Sequence, residues 1–365
     1  GLMHIILKEN LHDMDYINER CEGFEEFRKT VEKYTPDLVA KICHINKDDL
    51  IKAARMYAKA NKGALYYSMG ITQHSSGTNG VRSTSNLQML TGNVGFESTG
   101  INPLRGQNNV QGACDMGALP TDYTGYQKVF IDPVRERMGE FWKRDLPDKK
   151  GLTITEMMDA ANKGDLSFLY IMGENPMISD PDQNHIREAL KKLDFLLVQD
   201  IFLSETAEFA DVVLPAASFA EKDGTFTNTE RRIQRINKAI DPIGDSKADW
   251  QILMEISTLL GYEEYYADPS EIMDEIAGCT PSYGGISYKR LRKESLQWPC
   301  TNKDHPGTKY LHKNTMARGK GLFVPIDYEE SKELPDEKYP LILTTGRMLY
   351  QYHTRTMTGK IEGLS

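Results

Sequence analysis

Between Gly151 and Pro215 two kinds of apolar pattern alternate, and no other stretch restricts the fold as tightly. A helical pattern near 154–163 leads to a strand-like run at 166–171, a second helical pattern near 183–192, a run at 195–198 and the short run Val212-Val213-Leu214. Strands separated by helices of this length pair in parallel through right-handed crossovers and carry helices on their faces. The expected class is therefore α/β, multidomain, with parallel doubly wound sheets and irregular connecting segments. The same alternation starts earlier: Asn46 precedes a helix over 47–61 with Leu50, Ile51, Ala54 and Tyr57 on one side, and 64–69 reads as a buried strand. Further helices are expected over 80–91 and over 248–260, the latter with Trp250, Leu253, Ile256 and Leu260 aligned.

From 92 to 150 Gly, Asn, Pro and Asp crowd out periodic apolar residues, which predicts a long irregular segment with a functional reason to exist. The run Pro340-Leu341-Ile342-Leu343-Thr344-Thr345 reads as a strand opening a further domain. A length of 365 residues argues for two or three domains, and both ends read as cut from a larger polypeptide.

Charge and cysteine usage exclude several classes. Forty-four Lys and Arg stand against 53 Asp and Glu, a net charge of −9, so no global basic field draws the chain to nucleic acid or to an anionic membrane. No apolar run approaches the roughly 20 residues that span a bilayer, so the expectation is a cytoplasmic protein without membrane insertion. The five cysteines lie far apart with no CxxC pair, and read as structural thiols rather than as a metal or disulfide framework.

Ligands of parallel sheets sit beyond the carboxyl ends of the strands. Three polar clusters fall there: Gly70 to His74, Gly173-Glu174-Asn175-Pro176, and Gln199-Asp200. Gly173 lets a backbone approach a ligand, Asn175 offers donors and an acceptor, and Asp200 can accept from a guanine edge. Ordinary strand-to-helix turns use the same residues, but their recurrence at equivalent ends points to a nucleotide-bearing ligand. His74 reads as a hydrogen-bonded loop histidine, and Arg231, Arg232 and Arg235 as a solvated or inter-domain face. The segment from Pro103 to Gly117 sets Arg105 among Gln, Asn and Gly; a guanidinium held there suits a planar carboxylate, or a partly buried salt bridge.

The run Arg105-Gly106-Gln107-Asn108-Asn109-Val110-Gln111-Gly112-Ala113, with Ser68 to His74, Met172 to Pro176, Val198 to Phe202, Ala210 to Pro215, Gly224 to Asn228 and Tyr352 to Gly359, resembles the catalytic subunit of molybdenum- or tungsten-dependent formate dehydrogenase. The later motifs resemble those shared across the molybdopterin oxidoreductases, whereas the Arg105 run is similar to formate dehydrogenases in particular. The resemblance implies a fold of the formate dehydrogenase and DMSO reductase type. It also implies a Mo- or W-bis(molybdopterin guanine dinucleotide) centre that oxidises formate to CO2, or the reverse, and passes electrons to an iron-sulfur subunit. It gives Arg105 the part of orienting formate. It places Met69, Gln73 and Gln107 beside the pterins, Gly173, Asn175, Ser179, Gln199, Asp200, Ala216 and Asp249 at a guanine dinucleotide arm, and Arg347, Met348, His353 and Thr354 as further cofactor contacts.

The expected division is 1–106 with 248–269 as a first α/β domain, 107–218 as the guanine-dinucleotide domain, 219–247 with 270–310 as an irregular connecting domain, and 311–365 as the start of a carboxy-terminal barrel. The family's [4Fe-4S] cysteines, and its selenocysteine or cysteine metal ligand, would precede Gly1, so the fragment alone is expected to be inactive. A non-catalytic cofactor-binding scaffold is the competing reading. A nitrate reductase-like oxidoreductase is another, and the Arg105 run argues against it.

Overall fold

The computed structural model describes residues 1–346 and 348–364. They divide into two compact units, Gly1–Arg105 with Lys309–Thr344, and Gly106–Thr308 with Thr345–Ser365. In this division 248–269 belongs with the second unit and 311–344 with the first.

In the first unit Asn46 caps the helix Lys47–Ala58, its Oδ1 accepting from Asp48 N at 2.7 Å and Asp49 N at 3.2 Å, an arrangement worth about 1 kcal/mol. Helices Leu2–Lys8, Phe24–Glu32 and Gly77–Leu90 close with it over a core that includes Ile5, Ile6, Phe27, Ala54, Leu90 and Phe323. Each large apolar side chain in that core contributes about 1.5–3 kcal/mol of transfer free energy before conformational entropy offsets it. The strand Ala64–Tyr67 pairs in parallel with Gly100–Pro103, from Ala64 opposite Gly100 to Tyr67 opposite Pro103. Its crossover is the helix Gly77–Leu90, on which the fully buried Gln88 donates to Gly63 O at 3.2 Å and Gly100 O at 2.5 Å and accepts from the Tyr57 hydroxyl. A polar residue in the middle of an apolar helix face is tolerated because it satisfies the entries of both strands.

The second unit holds the parallel sheet Phe168–Met172, Phe195–Asp200 and Val212–Pro215, in that spatial order, with Ile171 opposite Val198 and Val198 opposite Val213. Helices Ile154–Lys163 and Gln183–Lys192 bury Met158, Ala161, Ile186, Ala189 and Leu190 against Leu196 and Val198. Thr153 and Glu156 form a capping box at the first helix, and Gly164, at φ +81°, ends it in the left-handed conformation that a residue without Cβ adopts freely. The α/β class with parallel sheets is thus present.

Four expectations need correction. The stretch 92–150 is not irregular throughout, since it contains the strand Gly100–Pro103 and the helix Asp132–Trp142, which starts at an Asp-Pro pair suited to a helix first turn. The segment 219–247 contains the antiparallel pair Gly224–Thr227 and Arg232–Ile236, extended by Leu296–Gln297. Arg231 and Arg235 do not form a solvated face. Arg231 donates to Trp298 O and, at 3.1 Å, to Thr308 O while lying over the Trp298 ring, and Arg235 lies 4.5 Å from the Tyr288 centroid, so aromatic faces replace water for both. Finally, 340–345 is not a strand: Leu341 is 86% and Leu343 91% exposed, and among the described residues no neighbouring strand takes up their backbone groups.

Candidate functional site

Both units present polar residues at the carboxyl ends of parallel strands. In the first, Leu104 N donates to Tyr67 O at 2.8 Å and Ser68 Oγ to Leu104 O at 3.0 Å. The two chain exits are tied together, so Met69, on the helical turn Met69–Thr72, and Arg105 leave the sheet from adjacent strands. Met69 is half-buried, whereas Gln73 and Arg105 are exposed. Burial pushes the Tyr67 hydroxyl above its ordinary pKa and the Arg105 guanidinium pulls it back, which sets the cation within electrostatic range of that phenol. His74 Nε2 lies 3.0 Å from Gly70 O.

In the second unit, Gly173 stands at φ +63° with no atom within 4 Å of where a Cβ would be, an open backbone position at the strand end. Asn175 faces the other way. It is 4% exposed, its Nδ2 donates to Glu205 Oε2 at 2.7 Å, and its Oδ1 accepts from Thr206 Oγ1 at 2.7 Å and Thr206 N at 3.2 Å. Ser179 donates to Glu174 Oε1 at 2.5 Å and to Asn175 O at 3.1 Å. These bonds build the turn after the first strand.

Gln199 is fully buried; its Oε1 accepts from the Tyr170 hydroxyl and its Nε2 donates to Asp249 Oδ1 at 2.7 Å. Asp249 opens the helix Asp249–Leu259 and receives Lys222 Nζ on its other oxygen, so a continuous polar chain runs Tyr170, Gln199, Asp249, Lys222 under the strand ends. Asp200 is half-buried, with Oδ1 accepting from Ile201 N at 2.6 Å and Phe202 N at 3.2 Å. Burial raises its pKa, Glu174 raises it further, and the two turn amides and Lys360 oppose them. Ala216 is buried and donates its backbone N–H to Asp200 O at 3.0 Å. With Glu174 and Asp180 close by, this edge is rich in acceptors, which suits a ligand that presents N–H groups.

The same unit joins two distant motifs. Asn108 N donates at 2.7 Å to the hydroxyl of Tyr352, 244 positions later. A Cβ on Gly106 would fall 2.4 Å from His353 Cε1, so glycine is what lets that ring lie on the backbone. Gln107 and Thr354 are exposed, as is Met348; Arg347 lies outside the described residues.

Tyr170, Lys222, Glu205 and Thr206 complete these arrangements and do not stand out in the sequence, because they meet their partners across 27 to 31 positions. Tyr352 opens the run Tyr352 to Gly359 that the sequence already singles out.

The sequence pattern of the family described as molybdopterin oxidoreductase matches residues 1–259. The F420-dependent formate dehydrogenase subunit alpha of Methanocaldococcus jannaschii is 51% identical over 100% of this chain and 54% of its own length. Formate dehydrogenase H of Escherichia coli is 42% identical over 99% of this chain and 52% of its own. The chain therefore spans about half the length of these curated relatives. Among solved structures, acetylene hydratase from Pelobacter acetylenicus superposes with a TM-score of 0.62 at 18% identity, covering 90% of this chain and 49% of the other, a likeness of fold. The strand-end clusters and the family match over most of the chain lead to one assignment: the chain belongs to the molybdopterin oxidoreductase family.

Proposed function

We propose that this chain is part of the catalytic subunit of a formate dehydrogenase, interconverting formate and CO2 at a molybdenum or tungsten centre carried by bis(molybdopterin guanine dinucleotide). The observation that carries the reading is the placement of Arg105 at the carboxyl end of Gly100–Pro103, within the run Arg105 to Ala113, in a chain whose relatives bear the name formate dehydrogenase.

The residues present fit the cofactor's guanine arm. Gly173 leaves an open cradle, Asp200 keeps one carboxylate oxygen beyond its turn amides, and the edge presents acceptors to the N–H groups of the base while repelling phosphate. In this reading Gly173, Asp200 and the backbone of Ala216 hold the base, and Asn175, Ser179, Gln199 and Asp249 shape the edge from behind. Met69, Gln73, Gln107, Met348, His353 and Thr354 would hold the pterins. When bound, the cofactor supplies the two-electron chemistry.

The chain's own task is binding and orientation. Two parallel N–H···O bonds from Arg105 grip the formate carboxylate and turn its C–H away from the guanidinium. Oxidation removes the substrate's charge, so the grip weakens on neutral CO2 and release is favoured. Electrons pass to an iron-sulfur partner subunit, and the fragment without the rest of the subunit is inactive.

In the full-length protein, Arg105→Lys keeps the charge and loses the paired bonds, and kcat/KM for formate falls about tenfold or more. Unchanged kinetics would overturn the role of Arg105. Full-length material without near-stoichiometric molybdenum or tungsten would favour the scaffold reading.

A further inference from the structure

Below the Gly106–Asn109 turn lies a buried carboxylate that the proposed chemistry does not use. Asp115 is 0% exposed and ends the helix Val110–Asp115. Its Oδ1 accepts from Gln111 Nε2 at 2.7 Å and the Tyr126 hydroxyl at 2.9 Å, and its Oδ2 from the Tyr283 hydroxyl at 2.7 Å and Trp298 Nε1 at 2.6 Å. Four donors and, among the described residues, no acceptor surround its two oxygens. The location is otherwise unfavourable, because burial disfavours an anion and the carboxyl end of a helix repels one. The group is held by its partners, three of which, Tyr126, Tyr283 and Trp298, come from separate segments outside its own helix.

We propose that Asp115 is a positioning residue that fixes the turn following Arg105. This rests on the reading of Arg105 as the formate-binding group. A helix of six residues cannot hold its own position, since nucleation is unfavourable and few internal hydrogen bonds follow. Side-chain anchors at its two ends must do so. At the amino end Asn109, at φ +60°, accepts from Thr227 N at 2.9 Å, and Asn108 donates to Tyr352. At the carboxyl end the anchor is Asp115. With both in place, Gly106 meets His353 and the run behind Arg105 has one geometry.

The test uses the full-length protein with its partner subunits and cofactors. Asp115→Asn keeps the volume and turns an NH2 group against a donor; Tyr283→Phe removes one hydroxyl and leaves the ring. Hydrogen exchange of the amides at 107–113 should accelerate about tenfold or more in Asp115→Asn, with the strand amides at 195–200 unchanged. Formate kcat/KM should fall about tenfold, and the double variant with Arg105→Lys should lose no more than about threefold beyond Arg105→Lys alone, because Asp115 acts on formate only through the Arg105 side chain. A role in overall stability alone would make the two losses multiply and would speed exchange everywhere. Unchanged exchange at 107–113, or multiplied losses, overturns the proposal. If the wild-type protein does not oxidise formate, the functional reading falls and the exchange result still decides on Asp115. Should Asp115→Asn fail to fold, Tyr283→Phe carries the same comparison with an effect of about threefold.

Discussion

Replacing Asn175 separates a residue that builds the strand-end turn from one that merely lines it. Asn175→Ala removes the acceptor of the Thr206 amide and hydroxyl, on a residue with no exposed surface, and the donor to Glu205. An unsatisfied buried donor costs about 1–3 kcal/mol. Two such donors, with a small addition from the Glu205 bond that water replaces at an exposed carboxylate, bring the sum to about 2–6 kcal/mol. Asn175→Asp keeps the acceptor and sets a second carboxylate against Glu205, where the amide now donates at 2.7 Å. Like charges this close raise the pKa of one of the pair above its unfolded value. The penalty is therefore absent below the unfolded carboxylate pKa, near 4, and grows to about 1–2 kcal/mol as the pH rises through the raised value. Native-state hydrogen exchange at the Thr206 amide in the full-length protein reads both effects. The alanine variant should exchange faster at every pH, the aspartate variant only above pH about 4–5. Identical pH dependence in the two variants would show that the Asn175 amide is not what faces Glu205.

Gly112→Ala would place its Cβ 2.1 Å from Asn109 Oδ1, displacing the acceptor of Thr227 N; the cost is about 1–3 kcal/mol, visible as a lowered melting midpoint and faster exchange at Thr227, and an unchanged Thr227 amide would refute it. Glu156 is held below the ordinary carboxylate pKa by the Thr153 amide first, then by the Thr153 hydroxyl and Lys150. That contribution is present above the unfolded pKa and disappears as the pH falls through the lower folded value, so exchange at the start of Ile154–Lys163 should accelerate on acidification and lose this pH dependence in Glu156→Gln.

How much the sequence revealed follows from how local each cause is. Gln183–Lys192 occupies the expected residues because Ile186, Ala189 and Leu190 recur at helical spacing between charged neighbours. The helix Asp132–Trp142 stayed hidden because Met138 is its one buried residue and Gly139 interrupts it. The run 340–345 carries a strand's composition, but a strand is a relation between two segments, and composition reports one. Arg231 and Arg235 read as solvated because their aromatic covers lie elsewhere in the chain, Trp298 being 67 positions on. The strand-end clusters were legible because parallel topology fixes where chains emerge. The partners of Asn175 and Gln199 were not, because which oxygen meets which donor is settled by packing across the sheet.

Hydrogen-bond accounting divides the strand-end residues by what remains available to a ligand. Asn175 and Gln199 are buried, and each has both side-chain polar atoms engaged inside the chain. Asp200 spends one oxygen on two turn amides and retains the other, while Gly173 offers backbone in an open position. Residues of the first kind set the shape of the edge, and those of the second kind remain open to a ligand. A substitution at Gln199 should therefore act through Tyr170 and Asp249, disturbing the polar chain beneath the edge, whereas Asp200→Asn keeps an acceptor for the turn and removes the charge a guanine edge would meet. The two changes should then separate in measurement: loss of order in the Asp249–Leu259 helix start for the first, and weakened nucleotide binding with unaltered backbone exchange for the second.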